Sequence, residues 1–274
     1  MAVALAVASG CERAPSLVDL NGEAMGTTWH VRMPSLPSGM TKEEVEQAIA
    51  ARLETVEIQM STWRETSDVS RFNRSTETGI WFAVARATAD VVIEAKRIFD
   101  ETGGAFDPTV HPLVALWGFG AAGKPRDTIP TDAEILEARS RTGFDAIEVR
   151  RDPPALRKDR PDLTLDLSAI AKGWGVDQVF ELLRGLGVAS CFVEVGGEVR
   201  VAGTRPDGSP WRVGIEVPKE SSERRPYTVL PLSEGAVATS GGYRSFVDIA
   251  GERFSHTIDP RDGRPVRHAL GSVT

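Results

Sequence analysis

Leu165-Asp166-Leu167-Ser168-Ala169-Ile170-Ala171-Lys172-Gly173, continued by Val176, Val179, Phe180 and Leu183, reads as a buried strand running into a helix. The helix ends near Gly185-Leu186-Gly187. Strand candidates crowd the chain after it: Ala189–Val195, Val199–Ala202, Trp211–Val217, Thr228–Leu230, Phe246–Ile249 and Phe254–Ile258. Before it, helices predominate. Thr41-x-x-Glu44 is a capping box ahead of Val45, Ile49, Leu53, Val56 and Met60 at helical spacing. A second helix carries Val84, Val91, Ala95 and Ile98 and stops at Gly103-Gly104, and a third opens on the capping box Thr131-x-x-Glu134. Ala146–Val149 and Leu163–Leu167 add two strands. Early helices with a late run of strands predict an α+β fold, with one main mixed or antiparallel sheet and flanking helices. Arg151–Pro161 and Pro218–Pro226 read as polar loops within that domain. Rossmann and P-loop folds lack their glycine fingerprints here.

Composition narrows the function. The 274 residues are 41% hydrophobic and 26% charged, enough apolar content to build a core. Lys and Arg number 32 against 39 Asp and Glu, a net charge of −7. Such a chain has no general attraction to nucleic acid or anionic lipid. A polyanionic ligand needs a local device: a lysine, backbone N–H groups or a metal ion. The two cysteines, Cys11 and Cys191, exclude a four-cysteine zinc site, a cysteine-ligated iron–sulfur cluster and a disulfide scaffold within this chain. Residues 1–10 are apolar and small and end at Ser9-Gly10, just before Cys11, as in a lipoprotein signal with Cys11 as the lipidated thiol. Cys191 lies in an apolar run and reads as a buried, inert thiol.

Several segments are richer in Gly, Asp and aromatics than packing requires. Met25, between small residues, suits either a planar ring or the core. Trp63, in the polar stretch from Met60 to Asn73, suits ligand stacking or a cap on the core. Gly103-Gly104 lets the backbone approach a ligand, and Asp107 before Pro108 is an acceptor for a base or sugar. Asp166, the free N–H groups of a new helix and Lys172 together suit a phosphate, while each alone suits a cap or a solvated charge.

The blocks Ala24–Trp29 (AMGTTW), Met60–Trp63 (MSTW) with Ser70–Asn73 (SRFN), Gly103–Gly120 (GGAFDPTVHPLVALWGFG), Leu165–Asp177 (LDLSAIAKGWGVD), Val195–Gly203 (VGGEVRVAG), Thr239–Arg244 (TSGGYR) and His256–Val266 (HTIDPRDGRPV) occur in one order. Together they resemble the FAD:protein FMN transferases of the ApbE family, from Gly22 to Thr274. The resemblance implies a single ApbE-type domain over 11–274. It implies magnesium-dependent cleavage of FAD at its pyrophosphate, with FMN joined to a Thr or Ser of an acceptor flavoprotein and AMP released. By motif position, the implied FAD contacts are Met25, Trp63, Ala105, Phe106, Asp107, Asp166, Lys172 and Ile258. The implied metal ligand is the Ala169 carbonyl, and His256 is the implied candidate for proton transfer. In the family a helix carrying Asp and Thr metal ligands follows the point where this sequence ends, which leaves an FAD pyrophosphatase or a non-catalytic flavin-binding lipoprotein as alternatives. Many members are exported and lipid-anchored, so the expected place is the bacterial cell envelope, facing the periplasm or the exterior.

Overall fold

The computed structural model describes residues 17–219, 225–243 and 245–274; Cys11 and Arg244 lie outside them. The chain opens with β1 (Val18–Ala24) and β2 (Thr27–Met33), then α1 (Lys42–Met60), α2 (Asp68–Arg74), the short β3 (Phe82–Ala83) and α3 (Arg86–Glu101). Two helices, α4 (His111–Leu116) and α5 (Asp132–Ser140), precede β4 (Ile147–Arg151) and β5 (Pro154–Lys158). The long α6 (Ser168–Gly185) then leads into β6 (Cys191–Val195), β7 (Glu198–Ala202), β8 (Trp211–Glu216), β9 (Pro226–Leu232) and β10 (Glu234–Val237). Short ladders close the chain: β11 (Ser240–Gly241), β12 (Phe246–Ile249), β13 (Glu252–Ser255), β14 (Ile258–Asp259), β15 (Arg264–Pro265) and β16 (Ser272–Val273).

The main sheet is antiparallel, in the order β1-β2-β6-β7-β10. Its long-range join is β2 to β6, with Trp29 opposite Val195 and Val31 opposite Val193. Helices α1 and α6 pack on this sheet. Leu20, Val31, Ile49, Leu53, Val179 and Val193 meet in one core. The far end of α1, Val56 and Met60, enters a second core with Phe72, Val92, Phe144 and Leu156. A third core gathers Leu113, Trp117, Ile135, Phe254 and Ile258. Because α1 crosses from the first core to the second, it spans the seam where the site lies.

The apolar spacing predicted for α1 is realised: Val45, Ile49, Leu53, Val56 and Met60 are its buried residues, and both halves of its capping box form. The box at Thr131 forms too. Four expectations change. Leu163–Leu167 joins no sheet: its alternate leucines are buried, which mimics a strand, but no neighbouring strand pairs with it. The loop expected over Arg151–Pro161 contains β5, which pairs with β4 and β3. Val84 precedes α3 instead of riding on it. Phe254–Ile258 is two pieces, because β13 ends at Ser255 and β14 starts at Ile258. The polar stretch after Met60 also holds α2, capped by the Ser67 hydroxyl. The chain's described helices include none long and apolar enough to cross a membrane.

Candidate active site

A cavity of about 620 Å³ opens where the β1–β2 turn, the end of α1 and the start of α6 converge. Its floor is apolar, from Val56, Met60 and Ala171. Met25, Trp63, Ser168 and Lys172 also line it.

Met25 and Gly26 form a two-residue hairpin loop, and both have positive φ, at 55° and 69°. Such loops match the twist of the flanking strands. The Met25 N–H donates to the Glu57 carboxylate on the last turn of α1. Arg64 grips Glu54 at 2.7 Å and also reaches Glu57 at 3.4 Å, so one helix end ties the Met25 turn to the Trp63 loop. The Met25 thioether lies against Gly175 of α6. A Cβ at Gly175 would fall 2.9 Å from the Met25 sulfur and 3.3 Å from Leu53 Cδ2. Glycine in this helix is therefore a matter of close packing. Trp63 is 73% exposed, unlike the indole of Trp117 at 1%. An open tryptophan at a cavity mouth offers a face for stacking.

Helix α6 begins differently from α1 and α5. Leu167 occupies its cap position and supplies no side-chain hydrogen bond. The Asp166 carboxylate accepts from the Ser168 N–H at 2.9 Å. Lys172 donates to Glu198 at 2.9 Å. The second carboxylate oxygen of Glu198 is buried without a hydrogen-bond partner. A buried oxygen left unpaired beside a lysine marks a place where polar groups are held for something else.

Asp166 connects this cavity to a second group of predicted residues. Its N–H donates to Pro108 O at 2.7 Å, next to Asp107. Its carboxylate faces His111 Nδ1 of α4 at 3.6 Å, within ion-pair range but too long for a hydrogen bond. Burial alone would raise the Asp166 carboxyl, but His111 and the Ser168 N–H outweigh it and hold the group below its usual value. Asp107 goes the other way: burial raises it, against two hydrogen bonds from Thr109. Phe106 packs against the second core, and Ala105 and Ala169 are exposed.

Ile258 and His256 lie elsewhere. Ile258 is 8% exposed in the third core. His256 is exposed, edge-on to Phe119 at 6.3 Å, with Nδ1 at 3.0 Å from Ser245 O. The third core reaches the cavity through α4, which starts at His111 and ends beside Trp117, whose indole donates to Gly263 O. Glu57, Gly175 and His111 are site residues that the sequence reading did not single out. Glu57 looks like any solvated helix charge, and only a tertiary contact gives it a role. Cys191 matches its expected character: burial pushes its thiol up to about 11.

The described residues contain no group of three His, Cys, Asp or Glu side chains able to hold a metal ion. The Ala169 carbonyl is one oxygen, whereas Mg²⁺ takes about six in octahedral geometry. These residues do not by themselves make a magnesium site.

Comparison with known proteins bears on the same residues. The profile of the ApbE family matches residues 25–274. A protein of Vibrio cholerae named FAD:protein FMN transferase is 42% identical over 270 residues, 98% of this chain and 79% of its own length. The solved flavin transferase ApbE from Vibrio cholerae superposes with a TM-score of 0.84 at 42% identity, covering 94% of this chain and 80% of that one. The apo flavinyl transferase ApbE of Pseudomonas stutzeri gives a TM-score of 0.81 at 35% identity, covering 94% of this chain and 78% of that one.

Proposed function

We propose, on the premise that this chain belongs to the ApbE family, a reading of which atoms of the cavity do what. The protein is an FAD:protein FMN transferase, and it passes the FMN part of FAD to a partner protein. The observation that carries the reading is the cavity itself, whose lining brings together the Met25 thioether, the exposed Trp63 indole and Lys172 beside the start of α6. Apolar and aromatic groups suit an isoalloxazine ring. A lysine and helical N–H groups suit a pyrophosphate.

In this reading Met25 and Trp63 hold the flavin, and Lys172 leaves Glu198 to meet phosphate oxygens. Asp166, Asp107 and the backbone at Ala105-Phe106 take polar groups of the remainder. The acceptor's Thr or Ser oxygen attacks the FMN-side phosphorus, the bond from that phosphorus to the bridging oxygen breaks, and AMP leaves with that oxygen. Phosphoryl transfer of this kind needs positioning and charge neutralisation more than covalent help. His256 does not line the cavity, and the family resemblance is what makes it the proposed acceptor of the hydroxyl proton. With Nδ1–H donating to Ser245 O, its Nε2 is the basic nitrogen. The family resemblance implies that the Ala169 carbonyl would be among the ligands of a Mg²⁺ ion, which would supply charge neutralisation at the phosphates. Ile258, buried in the third core, is proposed to act on the flavin site through that packing.

Lipid attachment at Cys11 and a place in the cell envelope complete the proposal. Its support is the apolar run ending in small residues before that cysteine. Labelled fatty acid should be incorporated when the gene is expressed with its natural upstream region, and an unlabelled product would sink this part.

The activity is tested by incubating the protein with FAD, magnesium and an acceptor that carries an accessible Thr. Fluorescent flavin should run with the acceptor on a denaturing gel, and AMP should appear in equal amount. Free FMN with no flavin on the acceptor would instead make the protein an FAD pyrophosphatase.

A further inference from the structure

The stretch Leu163–Leu167 carries Asp166 into the site and hands the chain to α6, yet it belongs to no sheet. Backbone groups in a buried stretch need partners. The Asp166 N–H finds a backbone partner in Pro108 O at 2.7 Å, and side chains supply partners for Leu163 and Leu165. Asn73 pairs with Leu165 on both sides: the Leu165 N–H donates to Asn73 Oδ1 at 2.7 Å, and Asn73 Nδ2 donates to Leu165 O at 2.8 Å. That is the pattern a neighbouring strand would offer.

Lys158, on β5, does the rest. It is 1% exposed, among the largest fully buried side chains of the described residues. Its ammonium donates to three carbonyls: Leu163 O at 3.0 Å, Phe72 O at 3.2 Å and Pro161 O at 3.3 Å. Burial pulls the Lys158 pKa down, against the nearby Asp162 carboxylate, but a protonated lysine has three N–H donors and a neutral one has two, so three carbonyl partners favour the ammonium. It also sits 5.0 Å from the Phe72 ring centroid, within cation–π range. Phe72 and Asn73 are neighbours on α2, so one helix end and one buried cation fix the same stretch from two sides. A buried charge is costly unless fully hydrogen-bonded, and hydrophobic residues would fill the same volume more cheaply. A lysine at this buried position calls for a reason beyond packing.

We infer that Lys158 is a positioning residue of the transfer site, acting through Leu163 and with Asn73 to set the placement of Asp166 and the first turn of α6. The inference rests on the transferase reading for what that placement serves. A displacement of about 1 Å in such a group costs on the order of a hundredfold in rate, so loosening this stretch should register in FAD handling before it registers in folding.

The test compares Lys158→Met, which keeps length and bulk, with Leu156→Ala, a cavity in the same core that leaves these hydrogen bonds in place. Amide exchange over 163–167, FAD affinity and transfer kinetics are read for both. Lys158→Met should speed exchange at Leu165 and Asp166. It should also lower kcat/KM for FAD by roughly tenfold to a hundredfold while KM for the acceptor protein stays put. Leu156→Ala should lower the melting temperature and leave kcat/KM for FAD within about twofold. Faster exchange with unchanged kcat/KM for FAD, or equal losses in both variants, overturns the inference. If Lys158→Met does not fold, Asn73→Ala carries the same comparison. A wild-type protein that binds FAD but transfers no FMN defeats the transferase reading alone, because exchange and FAD affinity still report on Lys158.

Discussion

Met25, Trp63 and Lys172 come from three distant stretches and meet at one cavity, whereas Ile258 and His256 stay near a separate core behind α4. The first group stands on long elements. The Met25 turn is tied to α1 through Glu57 and packed on α6 at Gly175, and Lys172 rides on α6 itself. The second group hangs on ladders of two to four residues, β12–β13 and β14–β15. Geometry held by long elements is fixed before a ligand arrives, and that preorganisation saves ordering cost on binding. FAD affinity should therefore be concentrated in the first group.

The largest loss should follow Lys172→Ala. Hydrogen bonds to charged groups contribute about 1.5–3 kcal/mol, so FAD should weaken by that order while riboflavin, which lacks phosphate, holds its affinity. Flavin fluorescence titrations with both ligands decide it, and an equal loss for both would mean that Lys172 acts through folding. Gly175→Ala comes next. Its methyl would press on the Met25 sulfur, the flexible end of a side chain, so the cost falls on the site more than on the fold. FAD affinity should fall, by less than for Lys172→Ala, with a small change in melting temperature. Trp63→Ala should remove about 0.5–1.5 kcal/mol of stacking, read in the same titration; unchanged affinity would leave the open indole without a flavin. Ile258→Ala should do least to FAD and most to the fold. A buried Ile cut to Ala costs about 2–5 kcal/mol of stability, visible in denaturant melts, with affinity within about twofold. A large loss of FAD binding there would break the contrast between the two regions.

The long elements were legible because each has a local signal. Val45, Ile49, Leu53, Val56 and Met60 are spaced for one helix face, and Thr41 and Thr131 announce their helices. Leu163, Leu165 and Leu167 misled because burial on alternate residues is the mark of a strand. Leu165 is paired by the side chain of Asn73, far away in sequence, and Leu163 O by the Lys158 ammonium, so no neighbouring strand is needed. Met25, Trp63 and Lys172 were legible as members of motifs. Glu57 and His111 were not, since their roles exist only through contacts with Met25 and Asp166. The separation of Ile258 from the cavity depends on how α4 and α5 pack, which no periodicity encodes.

One further consequence lies in the backbone of Met25. A φ of 55° is the left-handed region, where glycine and asparagine sit easily and a large side chain does not. Holding a non-glycine residue there costs on the order of 1–3 kcal/mol. Asparagine at this position should therefore give a protein that melts later and works worse, because the thioether that the cavity receives would be gone. Selection for robustness alone would drive methionine out of this turn. Methionine there fits the proposed role of its thioether in the cavity, and a screen for thermostable variants that ignored activity would be expected to find this turn among its early gains.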